Sequence, residues 1–322
     1  MGHRRWNTQE FQVHQVWQWH SKQFSSACQP LLKRWRTRMG FVTRTFRVQM
    51  QFRPSICYPN NEKPKLDKLE NLFREWHLHF VNNSSRLEKH IADDMVFDGF
   101  YPYYSSQKKR ILFIAWESVD IDGCNYIDLL YKSYRETKRI GSRHLDQSKF
   151  HYLMMYITYG ILNGMPTWQE IPCASKIGDT FGDPNGLSFA FMNISKLSNE
   201  KWQANHAVID TAYALSTYPR NFIQEEIAIL EPHIVIAMSR TKKDKITSLG
   251  QLTAIDDLDQ VESYWLDSGT HRSLLINTWH FSAWAKTGVE CYYNPICDAL
   301  RRSEMDLERI KHPEKFPLVA RM

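Results

Sequence analysis

Four short apolar runs constrain this chain more than any other feature: Ile111 to Ala115 (ILFIA), residues 187–193 (LSFAFMN), 233–238 (HIVIAM) and 273–277 (SLLIN). None is broken by Lys, Arg, Asp or Glu, and each has the composition of a strand covered on both faces. Between them lie helix-like stretches such as YIDLLYKSYRETKRI, KFHYLMMYITYGIL and NFIQEEIAILEP. Strands alternating with helices predict an α/β fold, a three-layer α/β/α sandwich with a central parallel four-stranded sheet. Ahead of the first run, Leu66, Leu69, Phe73, Trp76 and Phe80 follow Pro64 at helical spacing, which predicts an amphipathic helix over 64–80 packed on that sandwich.

Charge divides the chain at about residue 60. Residues 1–60 hold two Lys and eight Arg against the single acid Glu10, a net +9, so the remainder carries +6 − 9 = −3. Trp6, Trp17, Trp19 and Trp35 are interleaved with those arginines, a mixture suited to phosphates and bases and equally to a basic extension without a core. The expected organisation is therefore an extension over 1–60 and one α/β domain over 61–322. The longest apolar stretches are too short to span a bilayer, and no charged start followed by an apolar core opens the chain, so a cytoplasmic protein without a membrane partner is expected. The six cysteines form no C-x-x-C pair. His77 and His79 stand two apart on a helix and point to different sides, so no metal and no other cofactor are predicted.

In a parallel sheet all the strands deliver their carboxyl ends to one edge, where ligands bind. The first run is followed by Trp116, Glu117 and Ser118; the second ends on Asn193 and continues through Ser195 to Lys196; the fourth leads to His280, Phe281 and Ser282. A carboxylate, an amide and an imidazole are thus expected in one crevice. Glu117 suits deprotonation of a water, Asn193 offers a donor and an acceptor to a flat heterocycle, and His280 suits negative charge on a leaving group. Each has a plainer alternative: Glu117 as a solvated residue, Asn193 as a cap, His280 as a core histidine bonded to backbone.

This order of motifs resembles the uracil-DNA glycosylase superfamily over roughly residues 95–302. ILFIAWESVD stands at the water-activating loop, with Glu117 where some members carry a catalytic Asp. GCNY resembles the stretch whose aromatic stacks under the base, placing Tyr126 there. AFMNISK resembles the segment with the base-reading Asn, and WHFSAW the final H-P-S type loop, with Phe281 in place of Pro. The resemblance implies a hydrolytic DNA glycosylase acting on a flipped base, with Glu117, His280 and Asn193 catalytic and Tyr126, Asn193 and Trp116 against the base. Ser118, Lys196 and Ser282 are then expected on DNA phosphates, with Trp284 as the wedge that fills the gap in the duplex. Ala115 and Trp116 narrow the first loop where the family has Gly and a polar residue, which points to a modified pyrimidine, as in bacterial enzymes that strip altered bases from phage DNA. The cysteine spacings do not match members that carry an iron-sulfur cluster. A monomer is expected. Two alternatives stand: a catalytically silent DNA-binding sensor on the same fold, with Trp116 blocking the pocket, and a doubly wound nucleotide-binding enzyme, against which the lack of G-x-G-x-x-G and of a P-loop counts.

Overall fold

In the computed structural model, which describes residues 51–87, 90–119, 121–199, 206–269 and 271–311, the amphipathic helix runs as α1, Lys63–Asn82. Pro64 lies in its first turn, where a missing N–H leaves no hydrogen bond unmade. The chain continues through β1 (Gly99–Phe100), β2 (Ile111–Ala115), α2 (Tyr126–Lys132) and a small hairpin of β3 (Arg139–Ile140) and β4 (Arg143–His144). Next come α3 (Lys149–Leu162), α4 (Ala174–Gly178), β5 (Ala190–Asn193), α5 (His206–Thr217), α6 (Phe222–Leu230), β6 (Ile234–Ala237) and α7 (Lys243–Ile246). Three consecutive strands, β7 (Gln251–Asp257), β8 (Val261–Asp267) and β9 (Arg272–Thr278), lead to α8 (Asn294–Lys311).

All four apolar runs are strands, and they lie side by side and parallel in the order β5-β2-β6-β9. The sheet is larger than the expected four strands. It has seven, because β1 adds to β5 antiparallel at one edge and β8 and β7 add to β9 antiparallel at the other. Alternate residues of each central strand feed two separate cores. Ile111, Phe113, Phe191, Ile236 and Ile276 meet α2, α3 and α8 on one face. Leu112, Ile114, Met192, Val235 and Leu275 meet α1, α5 and α6 on the other, which makes three layers. Fully buried Trp76 of α1 stacks on Phe222 of α6 at 5.3 Å and 13°, and truncating such a core aromatic to Ala costs about 3–5 kcal/mol.

Residues 51–60 pack on this domain rather than belonging to the extension. The Ser55 N–H donates to Asp128 Oδ1 at 2.8 Å, the Tyr58 hydroxyl donates to the Phe100 carbonyl, and Phe52 sits edge-on to Phe97. The domain thus begins no later than residue 51, and the four tryptophans of the basic segment lie outside the described residues. Among the described residues no helix is long and apolar enough to cross a membrane.

Candidate active site

Register places the strand ends together. Ala115 of β2 pairs with Asn193 of β5, and Ala237 of β6 pairs with Asn277 of β9. Beyond the strands the loops keep running alongside each other. Ser195 N–H donates to the Trp116 carbonyl at 2.8 Å, Asn199 N–H to the Ser118 carbonyl at 2.9 Å, and Arg240 N–H to the Thr278 carbonyl at 3.1 Å. The residues following all four runs therefore share one edge.

Asn193 closes β5 on the same face as Phe191, two residues earlier. Its backbone N–H donates to Asp98 Oδ2 at 2.7 Å, which fixes the strand end. The side chain is 2% exposed, yet neither Oδ1 nor Nδ2 has a hydrogen-bond partner among the described residues. Burying an unpaired amide costs about 1–3 kcal/mol, so both valences stand ready for a ligand. From Phe191, on the same strand and face, aromatic rings run in a continuous series to His280 and Trp116. Tyr126 stacks on Phe191 at 4.7 Å and 16°, Phe150 meets Phe191 edge-on at 6.1 Å, and Phe150 lies 5.4 Å from the His280 ring, which lies 5.7 Å from Trp116.

Glu117 is held with its carboxyl up at about 7 by burial, against the opposing pull of the Lys242 ammonium and the Asn199 amide. Its Oε2 has no hydrogen-bond partner among the described residues. A carboxyl half ionised near neutrality suits proton abstraction. Burial acts the other way on His280, bringing its imidazole down to about 4, so the ring is neutral at physiological pH. The Ser282 N–H points at His280 Nδ1 at 3.4 Å and the Ser282 hydroxyl lies 2.7 Å from it. An N–H aimed at Nδ1 assigns the ring proton to Nε2, which then donates. The His280 carbonyl accepts from the Tyr292 hydroxyl at 2.8 Å, and Phe281 is a buried core residue packed on Phe113.

The remaining expected residues divide. Trp116 donates from Nε1 to Ser239 Oγ at 3.2 Å and carries the Lys242 ammonium 4.4 Å above its ring, so the indole is anchored at the site. Tyr126 gives one face to Phe191. Trp284 is 81% exposed on the loop after His280, and Ser282 is spent on His280 itself. Lys196 does not belong to a DNA surface. It is fully buried, with its ammonium 2.5 Å from Asp98 and 2.8 Å from Glu226, because a cation in the core must be neutralised there and cannot also reach a phosphate. Ser118 is likewise buried, and its hydroxyl faces the interior, not a surface phosphate.

Four residues escaped the sequence. Phe150 sits on α3 with nothing to distinguish it from a core residue. Asp98 precedes a two-residue strand. Arg240 and Lys242 follow the third run directly, in SRTKKDK, and that cluster of cations at a strand end was a readable signal.

Fold and site together define a three-layer α/β domain with a cluster of polar and aromatic side chains at the carboxyl edge of its parallel strands. No protein-family model matches the chain, and no curated protein matches it. Among the described residues no group of three or more His, Cys, Asp or Glu side chains is placed to hold a metal.

Proposed function

We propose that the chain is a hydrolytic DNA glycosylase of the uracil-DNA glycosylase superfamily, acting on a flipped uracil or modified pyrimidine. The observation that carries this reading is Asn193, a buried amide with both valences open among the described residues, on the sheet edge that also delivers a carboxyl near neutrality and a neutral imidazole. A flat base with adjacent donor and acceptor satisfies that amide, and the rings offer it stacking. Extruding the base from the duplex costs a few kcal/mol, which these contacts offset.

In the reaction, Glu117 takes a proton from a water whose oxygen forms the new bond to the sugar C1′. The bond from C1′ to the base nitrogen breaks, and its electron pair leaves with the base. The His280 Nε2–H donates to the base oxygen on which that charge accumulates. A donor so placed contributes about 10²–10³ in rate. Because His280 is neutral, the base departs as an anion held by a hydrogen bond and not by an imidazolium. With this reading go a cytoplasmic monomer and a role in base excision, in repair or against phage DNA.

The test is release of free base from DNA carrying uracil or a modified cytosine, with Glu117→Gln and His280→Ala as controls. Abasic sites should form with wild type and fall by about 10²–10⁴ with Glu117→Gln, the range for a general base. No abasic sites with wild type, and no effect of either substitution, ends the proposal. One observation favours a second reading, a silent sensor: the Trp116 indole is fixed by Ser239 and Lys242 beside His280. A sensor binds modified duplex without releasing base, and Trp116→Ala leaves it silent.

A further inference from the structure

We propose that the turn after β6, Ser239 to Lys242, determines which base this site accepts: it clamps the Trp116 indole into a fixed wall beside His280, against which a flat base is measured by size. The inference rests on reading this sheet edge as a nucleobase site. Two contacts hold the indole from different sides. Its Nε1–H donates to Ser239 Oγ at 3.2 Å, and Lys242 Nζ lies 4.4 Å from the ring centre. The first fixes an edge and the second covers a face, so the ring cannot change rotamer without losing one of them. Both come from one turn, closed by the Lys242 N–H donating to the Ser239 carbonyl at 2.8 Å. The His280 ring stands 5.7 Å from the indole, tilted by 47°. Trp116 is half-buried, so the part that the clamp leaves uncovered is accessible to a ligand.

The clamp is itself anchored to the strand that leads to His280. Buried Ser239 donates its N–H to Asn277 Oδ1 at 3.1 Å, and the Arg240 N–H reaches the Thr278 carbonyl at 3.1 Å. Asn277 is fully buried and donates from Nδ2 to Glu262 Oε2 at 2.9 Å, so its amide is engaged at both ends. The end of β9 thereby sets indole and imidazole in one frame. Lys242 has a second task, because its ammonium acts on the Glu117 carboxyl, the residue after Trp116, and opposes the effect of burial there. The lysine is committed to the wall and to the acid. A wall that cannot retreat discriminates by size, since an oversized base must break the clamp to enter, whereas a wall free to move yields to it.

The turn is tested by fluorescence anisotropy with labelled duplexes that carry uracil, thymine or hydroxymethylcytosine at one position. The sugar there is fluorinated, so the bond to the base does not break and binding alone is read. Wild type should separate the tightest duplex from the weakest by at least about tenfold, the low end for one added methylene against a shaped pocket. Ser239→Ala and Lys242→Gln should each lower that ratio by about two- to tenfold, the worth of one hydrogen bond or of one cation on an aromatic face. Lys242→Arg, which keeps a cation on the ring, should restore it. Lys108→Gln, just before β2 at the amino ends of the parallel strands, should leave the ratio unchanged. Ratios in both turn variants equal to wild type overturn the proposal, as does a wild type that binds the three duplexes alike. A wild type that binds none of them removes the turn's role and the nucleobase reading together. Release of base from an unfluorinated duplex, with ratios unchanged in the variants, removes the turn and keeps the glycosylase. Lowered ratios in variants of a protein that releases no base keep the turn and remove the glycosylase.

Discussion

Asn193 and Lys196 stand three residues apart, on one segment, both buried and both polar. Their surroundings differ completely. Lys196 is closed: its ammonium meets Asp98 and Glu226 and lies 5.0 Å from the Trp76 ring and 5.6 Å from Phe73. Burial, and then the Asp98 charge, push the Glu226 carboxyl well above the usual range, so Glu226 keeps its proton and Asp98 serves as the counter-ion. Asn193 is open, with two valences unused among the described residues at the same depth. A buried polar group whose bonds are complete binds the fold together, here α1, α6 and β5, whereas one whose bonds are incomplete holds a place for something else.

The contrast breaks first at Lys196. Lys196→Met keeps the stem's volume but strands Asp98, and removing one partner of a buried pair costs about 3–5 kcal/mol. Urea unfolding should show that loss, while Glu226→Gln, which mimics the protonated acid, should cost under about 1 kcal/mol. Similar losses in the two variants would mean that Glu226 is ionised and the triad is built otherwise. Glu117→Gln should act the opposite way to Lys196→Met. It should abolish base release yet raise stability by up to about 3 kcal/mol above pH 7, because a carboxyl held at about 7 instead of 4.5 strains the folded state once ionised. A Glu117→Gln protein that is inactive and also less stable would make Glu117 a structural residue like Lys196.

These opposed behaviours explain what was legible beforehand. β2, β5, β6 and β9 are covered on both faces, so burial writes itself into every residue and the runs stand out. β7 is half exposed along its length and holds Asp256 and Asp257, while β1 has two residues, so neither makes a run. Parallel direction alone brought Glu117, Asn193 and His280 to one edge. Nothing local separated Lys196 from a surface lysine, because its partners come from elements 98 and 30 residues away in sequence. Openness and closure are properties of tertiary contact, and residue type carries neither.

Glu117 and His280 also sharpen the comparison through pH. The Glu117 carboxyl binds a proton in the folded chain that the unfolded chain has lost between about 4.5 and 7, so its contribution to stability falls as pH rises through that window. The imidazole, brought from 6.5 to about 4, is protonated only in the unfolded chain between those values, so its contribution falls as pH drops. The two slopes oppose between about 4.5 and 6.5. Relative to wild type, Glu117→Gln should gain stability with rising pH there and His280→Phe should lose it, each by roughly 2 kcal/mol across the window, read from urea midpoints. Base release should rise through about pH 7 as Glu117 ionises and show no limb near 6.5 from His280. A limb at 6.5 that disappears in His280→Phe would mean a charged imidazole takes part.

The smallest effect on the fold is expected at Trp284, and for that reason it is the cleanest probe. At 81% exposure the indole has little to lose, so Trp284→Ala should change unfolding free energy by under about 0.5 kcal/mol. The loop beneath it stays tied through Lys149 and the Tyr292 hydroxyl, which bond to the Ala283 and His280 carbonyls. Any loss of affinity therefore reports a contact made outside the molecule. As a wedge, Trp284 should contribute to duplexes that must be opened and little to single strands, in which there is no stack to fill. The ratio of duplex to single-strand affinity should drop in Trp284→Ala while the salt slope holds, since an indole neutralises no phosphate. Equal losses on both substrates would make it a stacking platform for unpaired bases.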